Sequence, residues 1–575
     1  MSATFGTLVV VVALLAILLF ATWRRALARL LHIEPPRFHF TSSFVQVPGA
    51  EGSSLTARVY RPSAVGSFPV VVVRTPYGLG WRGGPPGIVN HVVASLFCER
   101  GVIVCMQSCR GRFARTHSGQ TNVASEFVPF VYEHDDGTLL LDWIARQPWF
   151  TGKLALYGQS YAGYTSWACA DDPRVTAIVP VQTSSEFRSL IHPDGVFALE
   201  TALRFMHVME TFGNERSPPV LKASVDVVRQ TRAVRPACEV LPFVEADRAL
   251  IGREDVHFRR ALAVTDDDDP FWRAIDHRPR RDGLQAPALV VAGFMDPFVR
   301  ETVRDFVSLR ARGHRARMVI GPWTHGQLDA RYLDETFRFL RAGDESGLDD
   351  DGVRIVCDDG TELSSATWPP PSSSRVLFLD AQGELHDVAP RAPGTRAFTH
   401  HPDTPVPNIA GAILDLEHAG VADNRALLVR DDVVTFVSKT VLNGPLRVVG
   451  EPSLTVRISS TRACGDLFVR LLDVDARGVA KNVTDGFVRV DDDALTGEGV
   501  TRTLVLWPTG HTFAAGHRVA LLACGAAHPR FARNLGTRGA QTTTSERYPA
   551  RHTLHLEGAR LELPVVETAQ RSGGP

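Results

Sequence analysis

A serine that ends a buried strand and opens a helix is placed for nucleophilic chemistry, and Ser160 occupies such a position. The apolar run Leu154–Tyr157 leads into Gly158-Gln-Ser-Tyr-Ala-Gly163, with helical sequence beyond. A sharp strand-to-helix turn lifts the hydroxyl off the sheet edge and sets backbone N–H groups and the positive helix end beneath it. Gly158 lies two residues before the serine, where a Cβ would collide with the turn. The usual esterase elbow has a second glycine two residues after the serine. Here Ala162 takes that place and the glycine comes one later, at Gly163. Alone, such a segment is equally an ordinary Gly/Ser turn, so the chemistry depends on its partners.

Those partners must be an acid and a histidine on loops after later strands, in the order Ser, Asp, His. The apolar run Pro287–Ala292 ends in Gly293-Phe-Met-Asp296, and the run Arg317–Ile320 ends in Gly321-Pro-Trp-Thr-His325. Asp296 alone would suit a helix N-cap ahead of Pro297, and His325 alone is a loop histidine. Together with Ser160 they form an ordered set at the carboxyl ends of strands, where catalytic groups of parallel sheets gather. In that set His325 takes the Ser160 proton and returns it to the leaving group, while Asp296 holds the imidazole tautomer and stabilises its cation. An oxyanion hole needs two donors. The backbone N–H of Tyr161 supplies one. The loop Arg74-Thr-Pro-Tyr77 can supply the other, with Tyr77 either pointing its hydroxyl inward or serving as a partly buried turn aromatic. The reaction class is acyl transfer on a carboxylic ester or amide, and it requires neither metal nor cofactor.

The surrounding elements fit that geometry. Phe68–Arg74 and Val102–Met106 are continuous apolar runs, as strands buried on both faces should be. Helical spacing over Pro85–Arg100 and Thr138–Arg146 alternates with them, and a further strand is expected over Arg174–Val181. Strands alternating with helices imply a mostly parallel sheet covered on both faces, an α/β hydrolase. From about Ser184 to Asp282 the alternation gives way to helical segments and charged clusters, including Asp266–Asp269, which reads as a solvated loop rather than a calcium site. Strand-helix order then resumes with a helix over Pro297–Arg312. Beyond about Gly352, short alternating runs separated by turn residues suggest a β-sandwich or jelly roll. The expected division is an anchor over 1–31, hydrolase segments over 32–184 and 283–350, a helical lid insertion over 185–282, and a jelly roll over 351–575.

A chain of 575 residues is too long for one core and implies about three or four domains. Hydrophobic residues at 44% and charged residues at 22% exclude gross disorder. A net charge of −1 provides no field for nucleic acid or a strongly charged substrate. The eight cysteines include no CxxC pair, and several sit in apolar runs, where they behave as small buried hydrophobes. The stretch Phe5–Trp23 is almost wholly apolar and is followed by Arg24, Arg25 and Arg29. About 20 apolar residues span a bilayer as a helix, and positive charge marks the cytoplasmic flank. The expectation is therefore a single-pass N-terminal anchor in the lipid bilayer with the catalytic body in the cytoplasm.

With these residues in place, the chain resembles the cocaine esterase/X-prolyl dipeptidyl peptidase family of α/β hydrolases. The resemblance rests on Arg74-Thr-Pro-Tyr77, Arg110-Gly-Arg-Phe113, Gln147-Pro-Trp149, Gly158-Gln-Ser-Tyr-Ala-Gly163, Gly293-Phe-Met-Asp296, Gly321-Pro-Trp-Thr-His325, Gly516-His-Arg518 and Pro529-Arg-Phe-Ala-Arg-Asn-Leu535. It implies that Tyr77 joins the Tyr161 amide in the oxyanion hole, that Phe298 lines the acyl pocket, and that a helical lid and a C-terminal jelly roll accompany the catalytic domain. The nucleophile motif of this family is G-x-S-Y-x-G, so the displaced Gly163 is expected there. Departures are the acid loop Gly-Phe-Met-Asp instead of Gly-Trp-Tyr-Asp, Gln-Ser-Cys before Arg110, and Thr138-Leu139 after Asp136-Gly137. Ester hydrolysis is the main expectation. X-prolyl peptidase or α-amino-ester/β-lactam acylase activity would need carboxylates for a substrate ammonium, with Glu186, Asp194 and Glu200 as candidates. A non-catalytic, membrane-tethered binding protein is the alternative of a different class.

Overall fold

The computed structural model describes residues 23–567 except 81–83, 113–126, 212–231, 349, 416 and 540. The first sheet comprises β1 (Phe40–Pro48), β2 (Ser54–Pro62), β3 (Val70–Thr75), β4 (Ile103–Ser108), β5 (Leu154–Gln159), β6 (Ala177–Val181), β7 (Ala288–Met295), β8 (Ala316–Thr324), β9 (Val353–Val356) and β10 (Glu362–Ser365). Their spatial order is β1-β2-β4-β3-β5-β6-β7-β8-β9-β10. From β4 to β9 all neighbours are parallel. Antiparallel strands close both edges. This is the α/β-hydrolase sheet expected from the alternation of apolar runs and helices.

Successive side chains of a strand face opposite sides of the sheet, and here both sides are buried. Val70 and Val72 join a core with Leu140, Leu141 and Ile144 of helix Glu133–Ala145 and with Val303 and Phe306 of helix Val299–Ala311. Val71 and Val73 join a second core with Phe97 of helix Gly84–Cys98 and Phe339 of helix Ala330–Ala342. Phe97 meets Tyr157 and Phe337 edge-on at 4.7 and 5.3 Å. Truncating such a ring to alanine costs about 3–5 kcal/mol.

Between β6 and β7 lie short helices, among them Arg188–Ile191, Leu199–Thr211, Ala246–Ile251 and Val256–Ala263. Their apolar sides gather Phe197, Leu203 and Phe258 with Ala532 and Leu535 from the far C-terminal part of the chain. The second sheet has twelve strands. Its long strand Ala550–Val565 pairs with Ser373–Leu379, Thr395–His400 and Ser453–Ser460. The two short strands β9 and β10 extend the first sheet instead, with Val353 in parallel register beside Met318. Their alternating pattern is the same as that of the sandwich strands, so nothing in the local sequence distinguishes them.

The anchor expectation requires correction. Residues 1–22 lie outside the described residues. In the flank that follows, Arg24 packs on the hydrolase body while Arg25 and Arg29 are exposed. A helix over 23–30 buries Ala28, Arg24 pairs with the buried Glu99 at 2.9 Å, and the Arg24 guanidinium covers the Phe40 ring at 4.7 Å. Among the described residues no helix is long and apolar enough to cross a membrane. A bilayer-anchored protein with a cytoplasm-facing body is therefore not supported.

Candidate active site

Ser160 stands between β5 and helix Tyr161–Trp167 with φ 58° and ψ −127°. A non-glycine residue in that region carries about 1–3 kcal/mol of strain and persists only where its surroundings impose it. The surroundings are identifiable. The Ser160 N–H donates to Val181 O at 3.0 Å, and its carbonyl accepts from Thr183 Oγ1 at 2.7 Å. Its hydroxyl makes no capping bond to the helix. A Cβ on Gly158 would lie 2.0 Å from Ala162 O, and one on Gly163 would lie 2.5 Å from Thr183 Cγ2. The later glycine position is thus set by β6, whose end crowds residue 163 and leaves room for a methyl at Ala162.

Asp296 follows β7 and is completely buried. Its Oδ1 accepts the Phe298 N–H at 2.7 Å, and its Oδ2 lies 2.6 Å from His325 Nδ1. His325 follows β8. The Asp296–His325 bond directs the other imidazole nitrogen away from the acid, as a base requires. The Tyr77 hydroxyl neighbours both the Ser160 side chain and the Tyr161 backbone N–H, so the two expected oxyanion donors lie together beside the serine. Burial pushes the Tyr77 pKa up to about 12, against the lowering effect of its Ser160 contact. The phenol is therefore a neutral donor at neutral pH.

Further residues support this point from behind. The Tyr161 hydroxyl donates to Glu133 at 2.8 Å and accepts the Phe130 N–H at 2.7 Å. Glu133 also pairs with the buried Arg74 at 2.9 Å, on the strand that leads to Tyr77. Arg110 makes a two-pronged bond to the buried Asp136 at 2.7 and 3.1 Å and so has a supporting role away from the reacting atoms.

Ser160, His325, Tyr77, Tyr161 and Phe298 line one cavity of about 1220 Å³. Its wall near the serine is aromatic. Phe298 stacks on His325 at 5.5 Å, Phe130 stacks on Tyr161 at 4.8 Å and on Phe205 at 5.2 Å, and Phe187 meets Phe130 at 4.4 Å. Phe130, Phe187 and Phe205 were not singled out from the sequence. They come from three separated segments, and no spacing rule links them.

The carboxylates considered for an ammonium are engaged elsewhere. Glu186 accepts the Ser189 N–H at 3.1 Å, Asp194 pairs with Arg300 at 2.7 Å, and Glu200 pairs with Arg204 at 2.7 Å. None of the three lines the cavity. Among the described residues, the acidic ones that do are Glu210, Glu254 and Asp255. Glu210 pairs with Arg253 at 2.7 Å, Glu254 with Arg259 at 3.1 Å, and Asp255 caps the Phe258 N–H at 2.8 Å. In the acidic run, Asp267 and Asp268 pair with Arg188 and Arg273 at 2.9 Å each.

A mostly parallel sheet with Ser, Asp and His after β5, β7 and β8 defines a serine hydrolase of the α/β class. Residues 51–327 match the X-Pro dipeptidyl-peptidase (S15 family), and residues 347–562 match the X-Pro dipeptidyl-peptidase C-terminal non-catalytic domain. The chain is 28% identical to cocaine esterase of Rhodococcus sp. (strain MB1 Bresler), over 92% of this chain and 98% of that one. Among solved structures it is similar to an α-amino acid ester hydrolase, with TM-score 0.75 and 20% identity over 92% of this chain and 97% of that one. It is also similar to an aminopeptidase of a marine-sediment Thaumarchaeota archaeon, with TM-score 0.74 and 20% identity over 93% and 98%. The chain belongs to the cocaine esterase/X-prolyl dipeptidyl peptidase family. It is a serine hydrolase of ester or amide substrates.

Proposed function

We propose that the chain hydrolyses carboxylic esters carrying a neutral, apolar acyl group, through an acyl-enzyme on Ser160. In this reading His325 is the general base and then the general acid, Asp296 orients it, and Tyr77 and the Tyr161 N–H hold the oxyanion. Phe298 forms part of the acyl wall. Of the expected segments, 185–282 acts as the lid over this cavity.

The observation that carries the reading is the aromatic wall beside Ser160, together with the fact that, among the described residues, every acidic one lining the cavity is already paired or capping. An amino-ester or an X-prolyl substrate would bury an unpaired ammonium there, at a cost of several kcal/mol. Nitrophenyl esters with alkyl and aryl acyl groups, an α-amino ester and an X-Pro anilide decide it. The neutral esters should be turned over with kcat/KM on the order of 100-fold higher. Preference for the amino ester or the anilide would refute the reading. Labelling by a fluorophosphonate should map to Ser160.

A further inference from the structure

Strand β6 ends between the elbow that carries Ser160 and the loop that carries His325, and its next residue is Gln182. Gln182 is buried and has φ 45°, a left-handed conformation that glutamine seldom adopts and that costs about 1–3 kcal/mol. Its backbone N–H donates to Val291 O of β7 at 2.8 Å, which turns the side chain across the ends of the neighbouring strands.

The side-chain amide makes three hydrogen bonds. Gln182 Nε2 donates to Thr324 O at 2.9 Å. Gln182 Oε1 accepts the Gly326 N–H at 3.0 Å and Gln159 Nε2 at 2.7 Å. Thr324 and Gly326 are the two neighbours of His325, and Gln159 is the residue before Ser160. One amide therefore grips the backbone on both sides of the base and ties it to the residue preceding the nucleophile. The partners fix its orientation, because Thr324 O can only accept and Gly326 N can only donate. Space for the amide is reserved by Gly293, where a Cβ would lie 2.7 Å from Gln182 Nε2 and 2.4 Å from Trp323 O.

We infer that Gln182 is a positioning residue that sets the His325 loop against the Ser160 elbow, with Gln159 as its link to the elbow. The inference rests on Ser160 and His325 being nucleophile and base. Asp296 fixes the ring through Nδ1, and the Gln182 amide holds the backbone on both sides of it. The strained backbone and three buried side-chain hydrogen bonds would be costly to maintain if a simple apolar residue served equally well.

The test uses the full chain and two readouts, steady-state ester hydrolysis and the second-order rate of fluorophosphonate labelling. Gln182→Met keeps the volume and removes the three bonds. It should lower kcat and the labelling rate together by about 100-fold, the scale of a 1 Å misplacement, with KM within about twofold of the parent. Gln182→Glu keeps the acceptor for Gly326 N–H and Gln159 and should recover part of that loss. Gln159→Leu leaves the grip on His325 intact and should cost less than Gln182→Met. It also carries the test if Gln182→Met does not fold, since an unchanged labelling rate in Gln159→Leu would sink the link. Full labelling rate in folded Gln182→Met, or a fall in KM-dependent terms alone, overturns the positioning role. If the parent itself is not labelled at Ser160, the catalytic assignment fails first and takes this inference with it.

Discussion

His325 Nδ1 lies 2.6 Å from Oδ2 of Asp296, and the acid is sealed from solvent while the imidazole edge reaches the cavity. The second carboxylate oxygen is occupied by the Phe298 N–H at 2.7 Å. The same acid thus orients the base and the aromatic residue that stacks on it.

Asp296→Asn would keep the Phe298 bond through its amide oxygen but offer NH2 or a weaker acceptor to His325. The wrong imidazole tautomer should then face Ser160. We expect kcat for a nitrophenyl ester to fall by roughly 10⁴-fold with an unchanged circular dichroism spectrum. A loss below about tenfold would remove Asp296 from the triad.

Tyr77→Phe deletes one of the two proposed oxyanion donors. The expected loss in kcat is about 10²–10³-fold, with KM little altered. Because burial holds the Tyr77 pKa up to about 12, the phenol stays protonated throughout the neutral and mildly basic range. The parent should therefore show no loss of kcat from this group between about pH 7 and 10. A basic limb in that range that vanishes in Tyr77→Phe would contradict the assignment.

Gly163→Ala places a methyl 2.5 Å from Thr183 Cγ2 and 2.8 Å from Gly158 O. The elbow must distort, and both melting temperature and turnover should drop, with a stability loss of about 1–3 kcal/mol. Thr183→Ser removes the offending methyl but keeps the hydroxyl that binds Ser160 O at 2.7 Å. The double variant should recover part of the loss. No recovery would show that the contacts the serine leaves in place, with Gly158 O and Thr183 Cβ at 2.8 Å each, dominate.

Away from the site, His511 is held between Asp358 at 2.5 Å and Asp473 at 3.1 Å. Burial lowers its pKa, but the two aspartates outweigh this and raise it from 6.5 to about 9. Asp358 follows β9 of the first sheet and Asp473 lies on a strand of the second sheet, so the imidazolium joins the two parts. A folded-state pKa above the unfolded value stabilises fully below about pH 6.5 and is lost as pH rises through about 9. The shift corresponds to roughly 3 kcal/mol at most. Melting temperature should fall between those pH values, and His511→Gln should flatten that fall. An identical pH profile in the variant would refute it.

The candidates Ser160, Asp296 and His325 could be picked out because each lies just beyond a run of apolar residues that reads as a buried strand. That information is local. Gln182 carries the same signal, a polar residue directly after the buried run ending at Val181, yet glutamine is no nucleophile or base and its partners lie 23 and 144 positions away in sequence. Most of the aromatic wall was hidden for a similar reason: Phe130, Phe187 and Phe205 share no period and meet only in the tertiary structure, whereas Phe298 was expected from the family resemblance.

The linear sequence by itself determined the parallel sheet, the order of the candidate triad and the family, since strand burial and turn residues leave marks within a few positions. Tertiary structure alone decided which carboxylates are consumed by arginines and which sheet receives β9 and β10. It also decided what the residues after Trp23 do. Arg24 had the composition of a membrane flank, but composition does not specify a partner, and the buried Glu99 at 2.9 Å does.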